Sequence, residues 1–366
     1  MKSAASNRHL PEMNFHKRPG AIVVGLGSYF RKLQAGLNDY LRVVRLFDTR
    51  PVEQLALSDE DARRFSRLER DSAKAFSNQE FDCALVLTPP ASHLDYCLVL
   101  LPTGVPVLIE KPVVVNNQEL SLLVQAVQGG AKLYCSDFYA DVRATPLLEW
   151  FTAKQGPPPA NLRVVGSEDL WSDGPYGLGT VYKVEGKLCE AVSYKQELQE
   201  RRWLLDPAQG GVLLDLMYHF FVLTSRLLAE PFVPEIAVLG ICRDDGTISP
   251  WKRTSESAET YARIEGSLRG GVPFTFEVSK YKGDTTDRWF KLHCERGSAT
   301  MTFANPNVLV IQAGAARCQA TLVGNYYADV VKLFAQYVNV GTTEPHGLQD
   351  AIAAVKAIEA AKELGQ

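Results

Sequence analysis

Apolar positions follow two different patterns along this chain. From Ala21 to Cys135, short, mostly apolar runs alternate with stretches whose apolar residues recur at helical spacing. The runs are Ala21 to Val24, Val43 to Phe47, Phe81 to Leu87, Val107 to Ile109 and Lys132 to Cys135. Runs without polar alternation suit strands covered on both faces, as in parallel sheets. Between them, Leu33 and Leu37 share one helical face, as do Leu120, Leu123, Val124 and Val127 in the stretch from Asn116 to Gln128, which Gly129-Gly130 stops. Pro89-Pro90 ends a strand and opens a helix that runs to about Leu101, closed by Gly104. Pro51 to Asn78 is charged, and the thin stripe of Phe65 and Leu68 predicts an exposed helix. Strand and helix thus alternate, which predicts an α/β, doubly wound parallel sheet.

The second pattern begins after Pro157-Pro158-Pro159, a breaker that follows a helix ending near Lys154. A strand starts at Leu162, and Asp169 to Tyr182, rich in glycine, aspartate and aromatics, reads as a long loop. Gly210-Gly211 opens a helix to Leu227. Strands then follow at Ile236 to Cys242, Thr260 to Leu268, Pro273 to Lys280, Trp289 to Cys294, Ala299 to Phe303 and Val308 to Ile311, with turns such as Arg269-Gly270-Gly271 between them. This predicts an α+β unit with a large open, mostly antiparallel sheet. One face should pack on helices. The other, near Phe274, Phe276, Tyr281 and Trp289, is expected to form a homodimer or homotetramer interface, because a wet apolar face of that size is costly. Two more helices are expected, Tyr326 to Val338 and Leu348 to Leu364. The last carries a stripe of Ala351, Val355 and Ile358 for packing on an earlier helix or on the N-terminal unit.

Composition narrows the function. A chain of 366 residues can hold two cores, and we expect a tail over 1–20, a dinucleotide-binding unit over 21–142 and a substrate-binding and oligomerisation unit over 143–366. A net charge of −3 without a basic block gives no footing for nucleic acid. No apolar run approaches the ~20 residues of a membrane helix, and the polar start lacks the apolar core of a signal peptide. Seven cysteines, an odd count with no C-x-x-C pair, fit a reducing cytoplasm. The six histidines show no ligand spacing, so no metal is expected.

Candidate chemistry sits where strands end. Gly25-Leu26-Gly27 follows the first strand and opens a helix, and Asp48 closes the second strand. That is the spacing of a Rossmann dinucleotide site, in which glycines admit a pyrophosphate to a helix N-terminus and a carboxylate binds the adenosine ribose. Ser28, Tyr29 and Thr49 belong to the same loops. Asp48 favours NAD slightly, while Arg50 could receive a 2′-phosphate and leaves NADP open. Phe30 departs from the pattern by standing where a small residue is usual. The strand Val107 to Ile109 ends abruptly on Glu110-Lys111-Pro112, at the sheet edge where ligands gather in such folds. Farther along, Asp215 and His219 stand at i and i+4 on the helix after Gly210-Gly211 and share a face.

Thr88-Pro89-Pro90-x-x-His93, then Glu110-Lys111-Pro112, then Trp203 through Gly210-Gly211 to Asp215 and His219, resemble the glucose–fructose oxidoreductase, inositol dehydrogenase and rhizopine catabolism family (Gfo/Idh/MocA). The resemblance touches nearly the whole chain after Gly20, although Trp171 to Glu200 matches no motif. It implies an NAD(P)-dependent oxidoreductase moving a hydride between nicotinamide and a hydroxyl-bearing carbon of a sugar, sugar derivative or cyclitol. By this resemblance His219 is the base, Lys111 holds the hydroxyl oxygen, Asp215 orients the imidazole and Glu110 orients Lys111. Thr88, Pro89 and His93 line the nicotinamide side. Tyr139, Arg143 and Trp203 join Lys111, Asp215 and His219 around the substrate. A non-catalytic sensor on the same fold, or a reductase of a non-sugar ring or an imine, are the alternatives.

Overall fold

The computed structural model describes residues 18–68, 76, 80–152, 158, 160–191, 201–243, 245–252, 255–283, 285–342 and 344–365. Most of the N-terminal tail, and much of the segment from Trp171 to Glu200 beyond Ala191, lie outside this range, as do Lys154, Pro157 and Pro159.

The N-terminal apolar runs form a six-stranded, all-parallel sheet in the order β3-β2-β1-β4-β5-β6. Its strands are β1 (Gly20–Val24), β2 (Arg42–Asp48), β3 (Phe65–Arg67), β4 (Cys83–Val86), β5 (Val107–Ile109) and β6 (Leu133–Cys135). The winding direction reverses between β1 and β4. Their carboxyl ends therefore open a crevice at the switch point, and Gly25 and Thr88 stand at its mouth. The helices α1 (Ser28–Tyr40), α3 (His93–Leu100) and α4 (Asn117–Gln128) supply the crossovers. The expected helix after Pro51 is instead a short turn, a six-residue helix α2 (Asp59–Arg64) and edge strand β3. Phe65 thus belongs to a strand, paired with Leu46 of β2. Phe30 is buried on the core side of α1 with Leu33 and Leu37, away from the crevice.

Past β6 the chain makes a five-residue π-helical turn, Tyr139–Arg143, followed by α5 (Thr145–Thr152). A ten-stranded sheet follows, built from β7 (Leu162–Gly166), β8 (Val181–Cys189), β9 (Phe232–Cys242), β10 (Ile248–Pro250), β11 (Tyr261–Leu268), β12 (Pro273–Ser279), β13 (Asp287–Cys294), β14 (Gly297–Thr302), β15 (Val308–Ala313) and β16 (Ala316–Leu322), in the order β10-β9-β11-β12-β8-β13-β14-β15-β16-β7. Every neighbouring pair in it is antiparallel except β8 with β12. Its central strand β8 (Val181–Cys189) begins inside the stretch expected to be a loop, which also holds the short helix α6 (Glu168–Ser172). Val184 and Leu188 face inward, and Gly186 makes room for Phe220, whose ring atoms lie 2.9 Å from where a Cβ would stand.

The helix expected from Gly210 divides into a π-helical turn, Leu213–Met217, and a regular α7 (Tyr218–Leu228). On α7, Phe220 stacks on Phe276 at 5.1 Å and Phe221 meets Phe274 edge-on at 6.1 Å. Phe274, Phe276 and Tyr281 are therefore core residues and do not line the open face. The open face carries Tyr182, Ile236 and Val238 among ion pairs such as Lys187–Asp287. Two C-terminal helices return to the start of the fold: α8 (Tyr326–Val340) packs on α1, and α9 (Leu348–Leu364) packs on α7, β9 (Phe232–Cys242) and α4. No helix among the described residues is long and apolar enough to cross a membrane.

Candidate active site

One cleft of about 780 Å³ runs from the Gly25–Gly27 loop to α7. It is lined by Gly25, Gly27, Ser28, Tyr29, Asp48, Thr49, Arg50, Thr88 and Pro89 at one end. At the other it is lined by Glu110, Lys111, Tyr139, Arg143, Trp203, Asp215 and His219. Every site residue expected from the sequence is there except His93.

At the dinucleotide end, Gly25 has φ +93, and a Cβ on it would stand 2.8 Å from the Leu87 carbonyl, so the turn requires glycine. Gly27 is different: its missing Cβ would meet nothing within 4 Å, which leaves bare backbone facing the cleft at the start of α1. The Tyr29 hydroxyl and Thr88 Oγ1 are buried there without a hydrogen-bond partner. A bare glycine rim and two orphan hydroxyls fit a dinucleotide, whose phosphate and nicotinamide oxygens would satisfy them. Asp48 accepts from the Leu26 N–H at 2.8 Å and takes a two-pronged guanidinium contact from Arg50, at 2.9 and 2.8 Å. Burial works to raise its carboxyl, but the Arg50 and backbone hydrogen bonds prevail and hold it below the usual range.

His93 does not reach the cleft. It is fully buried, with Nδ1 2.8 Å from the Pro112 carbonyl and Nε2 2.7 Å from the Thr88 carbonyl, so it braces the two cleft loops from behind. Burial pushes the imidazole down to about 4 despite both carbonyls, and the neutral ring can donate its single N–H to only one of the two, resting against the other. The Lys111–Pro112 peptide bond is cis.

At the other end the pairing differs from expectation in two ways. Lys111 Nζ donates to the Asp215 carbonyl at 2.6 Å and to Asp215 Oδ1 at 2.8 Å. Asp215, not Glu110, therefore orients Lys111, and Glu110 makes no side-chain hydrogen bond among the described residues. Lacking such a partner, the Glu110 carboxyl is pushed by burial up to about 7, against the pull of Lys111 and Arg201. Asp215 also takes Arg201 at 2.9 Å and Lys280 at 2.8 Å. Burial would raise this carboxyl, but three cations keep it ionised well below its ordinary value. Lys280 in turn bonds Glu190 at 2.6 Å, and Arg288 meets Glu190 at 3.1 Å.

Second, the histidine has a different carboxylate. His219 Nδ1 lies 2.8 Å from Asp137 Oδ2, in the loop after β6, so Asp215 does not orient the imidazole. The His219 ring also packs on Tyr139, with centroids 4.4 Å apart. Arg143 lines the cleft but is fastened to Asn307 Oδ1 and the Ala304 carbonyl, with its guanidinium 5.1 Å from the Tyr139 ring centre. Trp203 lies under Arg201 at 5.2 Å. Both π-helical turns border this end of the cleft, where such irregularities often accompany function.

The sequence places Asp137 just past a strand end but gives no role to it, nor to Glu190, Arg201 or Lys280. A lysine closing an alternating strand, as Lys280 does, was the available signal. Among the described residues no group of histidine, cysteine, aspartate or glutamate could hold a metal ion.

Comparison with known proteins bears on the fold and on the nucleotide-binding unit. Residues 20–138 match the Gfo/Idh/MocA oxidoreductase family model, described as an NAD-binding Rossmann fold. The match spans this segment, so what resembles the Gfo/Idh/MocA oxidoreductases is the nucleotide-binding unit. Curated relatives include an oxidoreductase of Formosa agariphila, 43% identical over 51 residues, which are 14% of this chain and 16% of the relative. Another is a protein of Amycolatopsis mediterranei described as a UDP-kanosamine synthase oxidoreductase subunit, 31% identical over 116 residues, 31% of either chain. The matched segments thus span under a third of these relatives' lengths. Among solved structures, the UDP-N-acetylglucosamine 3-dehydrogenase of Acidithiobacillus ferrooxidans superposes with a TM-score of 0.68 at 19% identity, covering 96% of this chain and 100% of that one. The myo-inositol 2-dehydrogenase of Lactobacillus plantarum gives 0.70 at 14% identity, over 95% and 97%. A 3-ketoreductase of Actinomadura kijaniata, solved with TDP-benzene and NADP, gives 0.68 at 15%, over 94% and 96%. At these identities the likeness establishes the two-sheet fold.

Proposed function

We propose that this protein transfers a hydride between NAD or NADP and a hydroxyl-bearing carbon of a sugar, sugar derivative or cyclitol. The observation that carries the reading is that a cation held by Asp215 and an imidazole held by Asp137 line the same cleft as the glycine loop. When bound, the nicotinamide supplies the hydride acceptor or donor. The chain's own groups handle the proton and the charge. His219, whose imidazole burial holds below its ordinary value and so in the proton-accepting form, takes the hydroxyl proton as the carbinol is oxidised. Lys111 donates to the substrate oxygen and stabilises the negative charge that grows there. Asp215 aims Lys111, while Arg201 and Lys280 keep Asp215 ionised. Gly25, Gly27, Ser28, Tyr29, Thr88 and Pro89 hold the dinucleotide, and Asp48, Thr49 and Arg50 hold its adenosine ribose.

The Asp48–Arg50 pair supports NAD, whose 2′-hydroxyl can bond the carboxylate. Arg50, with its side chain 44% exposed, can also be reached by a 2′-phosphate, so both cofactors belong in the test. The outer face of the ten-stranded sheet is proposed as the surface on which copies of this chain associate.

The test incubates the purified chain with NAD or NADP and with myo-inositol, UDP-N-acetylglucosamine and glucose, and follows nicotinamide absorbance. Turnover with one of them is expected. Cofactor binding without turnover on any polyol would favour a sensor, and turnover only on imines or non-sugar rings would move the reaction class.

A further inference from the structure

The loop after β6 and helix α7 are joined by two buried rungs. In the first, His219 Nδ1 meets Asp137 Oδ2 at 2.8 Å. In the second, Arg226 Nη1 donates to Asp141 Oδ1 at 2.7 Å. His219 and Arg226 are two helical turns apart on one face of α7, while Asp137 and Asp141 are one turn apart in the loop. The loop is locked from within, since Asp137 Oδ1 accepts the Ala140 N–H at 2.8 Å and Asp141 Oδ2 accepts the Asp137 N–H at 2.9 Å. This reciprocal arrangement works as a capping box does. Arg226 also reaches Asp350 on α9 at 3.1 Å, and Asp141 takes His346 Nε2 at 3.1 Å. Among the described residues Asp137 forms no ion pair with a lysine or arginine, although its side chain is only 3% exposed.

We infer that Asp137 is the positioning residue of His219, fixing its proton on Nδ1 so that Nε2 faces the cleft as the proton acceptor, and that the Arg226–Asp141 rung sets the register of the pair. The carboxylate can only accept, so the Nδ1 it faces must carry hydrogen. Nε2 makes no hydrogen bond among the described residues. When Nε2 takes a proton, the new imidazolium lies beside an ionised carboxylate in a dry site, which lowers the cost of charging it. Asp215, four residues earlier on the same segment, is drained by Lys111, Lys280 and Arg201 and cannot serve.

The charged and polar groups acting on His219 are Asp137 and Tyr139 from the loop, Lys111 from the end of β5, and Asp215 from its own segment. Burial lowers the His219 imidazole most and Asp137 opposes that. Removing Asp137 therefore lowers it further and moves the acid limb of the kcat/KM profile to lower pH.

The role in turnover rests on the proposed function; the tautomer does not. Nitrogen-15 NMR of the full-length protein with NAD bound, assigned with His219→Gln, should show His219 protonated on Nδ1. In Asp137→Ala the preference should shift to Nε2. With whichever of myo-inositol or UDP-N-acetylglucosamine turns over, Asp137→Ala should lose about a hundredfold or more in kcat at little change in KM, with the acid limb displaced, and Asp137→Glu should recover part of the loss. A wild-type ring protonated on Nε2, or an Asp137→Ala enzyme with the wild-type rate and pH profile, would overturn the inference. An Nδ1–H ring in a protein that turns over neither polyol would uphold the pairing and sink the proposed substrate class instead.

Discussion

At the scale of single residues, charges in the cleft are settled by specific partners, and their removal should have separable effects. Lys111→Ala and His219→Ala are each expected to cut turnover by about two orders of magnitude or more, while NAD(H) still protects the protein against heat. A melting-temperature shift with NADH beside steady-state rates checks both halves. Glu110 behaves differently. Its carboxyl is pushed from 4.5 up to about 7 by burial, so the fold favours its neutral form. Below pH 4.5 the group costs the fold nothing; the cost grows as pH rises through this window and is complete above about 7. Glu110→Gln should therefore raise the melting temperature above neutrality and leave it unchanged in acid. Asp215 has the opposite sign: its depressed pKa contributes stability above the ordinary carboxylate range, and that contribution is lost as pH falls. The glycine loop was legible from short-range spacing, and Lys111 and His219 from motifs that resemble a known family. The partner of His219 was not. Asp137 lies 82 positions away, whereas Asp215 stands at i−4 and invited the pairing. The π-helical turn at Leu213–Met217 is what breaks that inference: its wider winding turns Asp215 away from His219 and onto Lys111.

At the scale of elements, the long apolar strands and the capped helices read plainly, because burial on two faces and 3.6-residue spacing are written into the order of residues. The strands that escaped have identifiable causes. β3 is three residues long and carries one apolar side chain. β8 alternates, but its inward sites include Gly186 and its outward sites are Lys183, Glu185 and Lys187, so a charged surface pattern hid a central strand. Gly186 looks like a strand breaker and is in fact the seat of Phe220. Gly186→Val is expected to drive its side chain into that ring and to destabilise the protein by about 1–3 kcal/mol. Urea unfolding measures this, and a neutral result would mean that α7 can shift. Phe30 shows the converse, since its size is absorbed on the core side of α1 and leaves the glycine rim clear.

At the scale of the whole molecule, the two-sheet layout leaves one broad face of the larger sheet without a covering layer. Ile236 and Val238 are 53% and 49% exposed there, amid paired charges. If copies of the chain associate through this face, Ile236→Lys with Val238→Lys should lower the mass seen by light scattering toward the monomer and leave the cleft chemistry intact; an unchanged mass would place the contact elsewhere.

The grip of Arg226 on both Asp141 and Asp350 reaches past the fold into the order in which the chain is made. His346 adds its backbone beside Tyr134, and Asp350 follows on α9, so the anchorage of the histidine draws on residues translated long after it. A nascent chain can pair its six parallel strands while His219 still lacks part of that hold. The imidazole is then fixed later in synthesis than the sheet beside it.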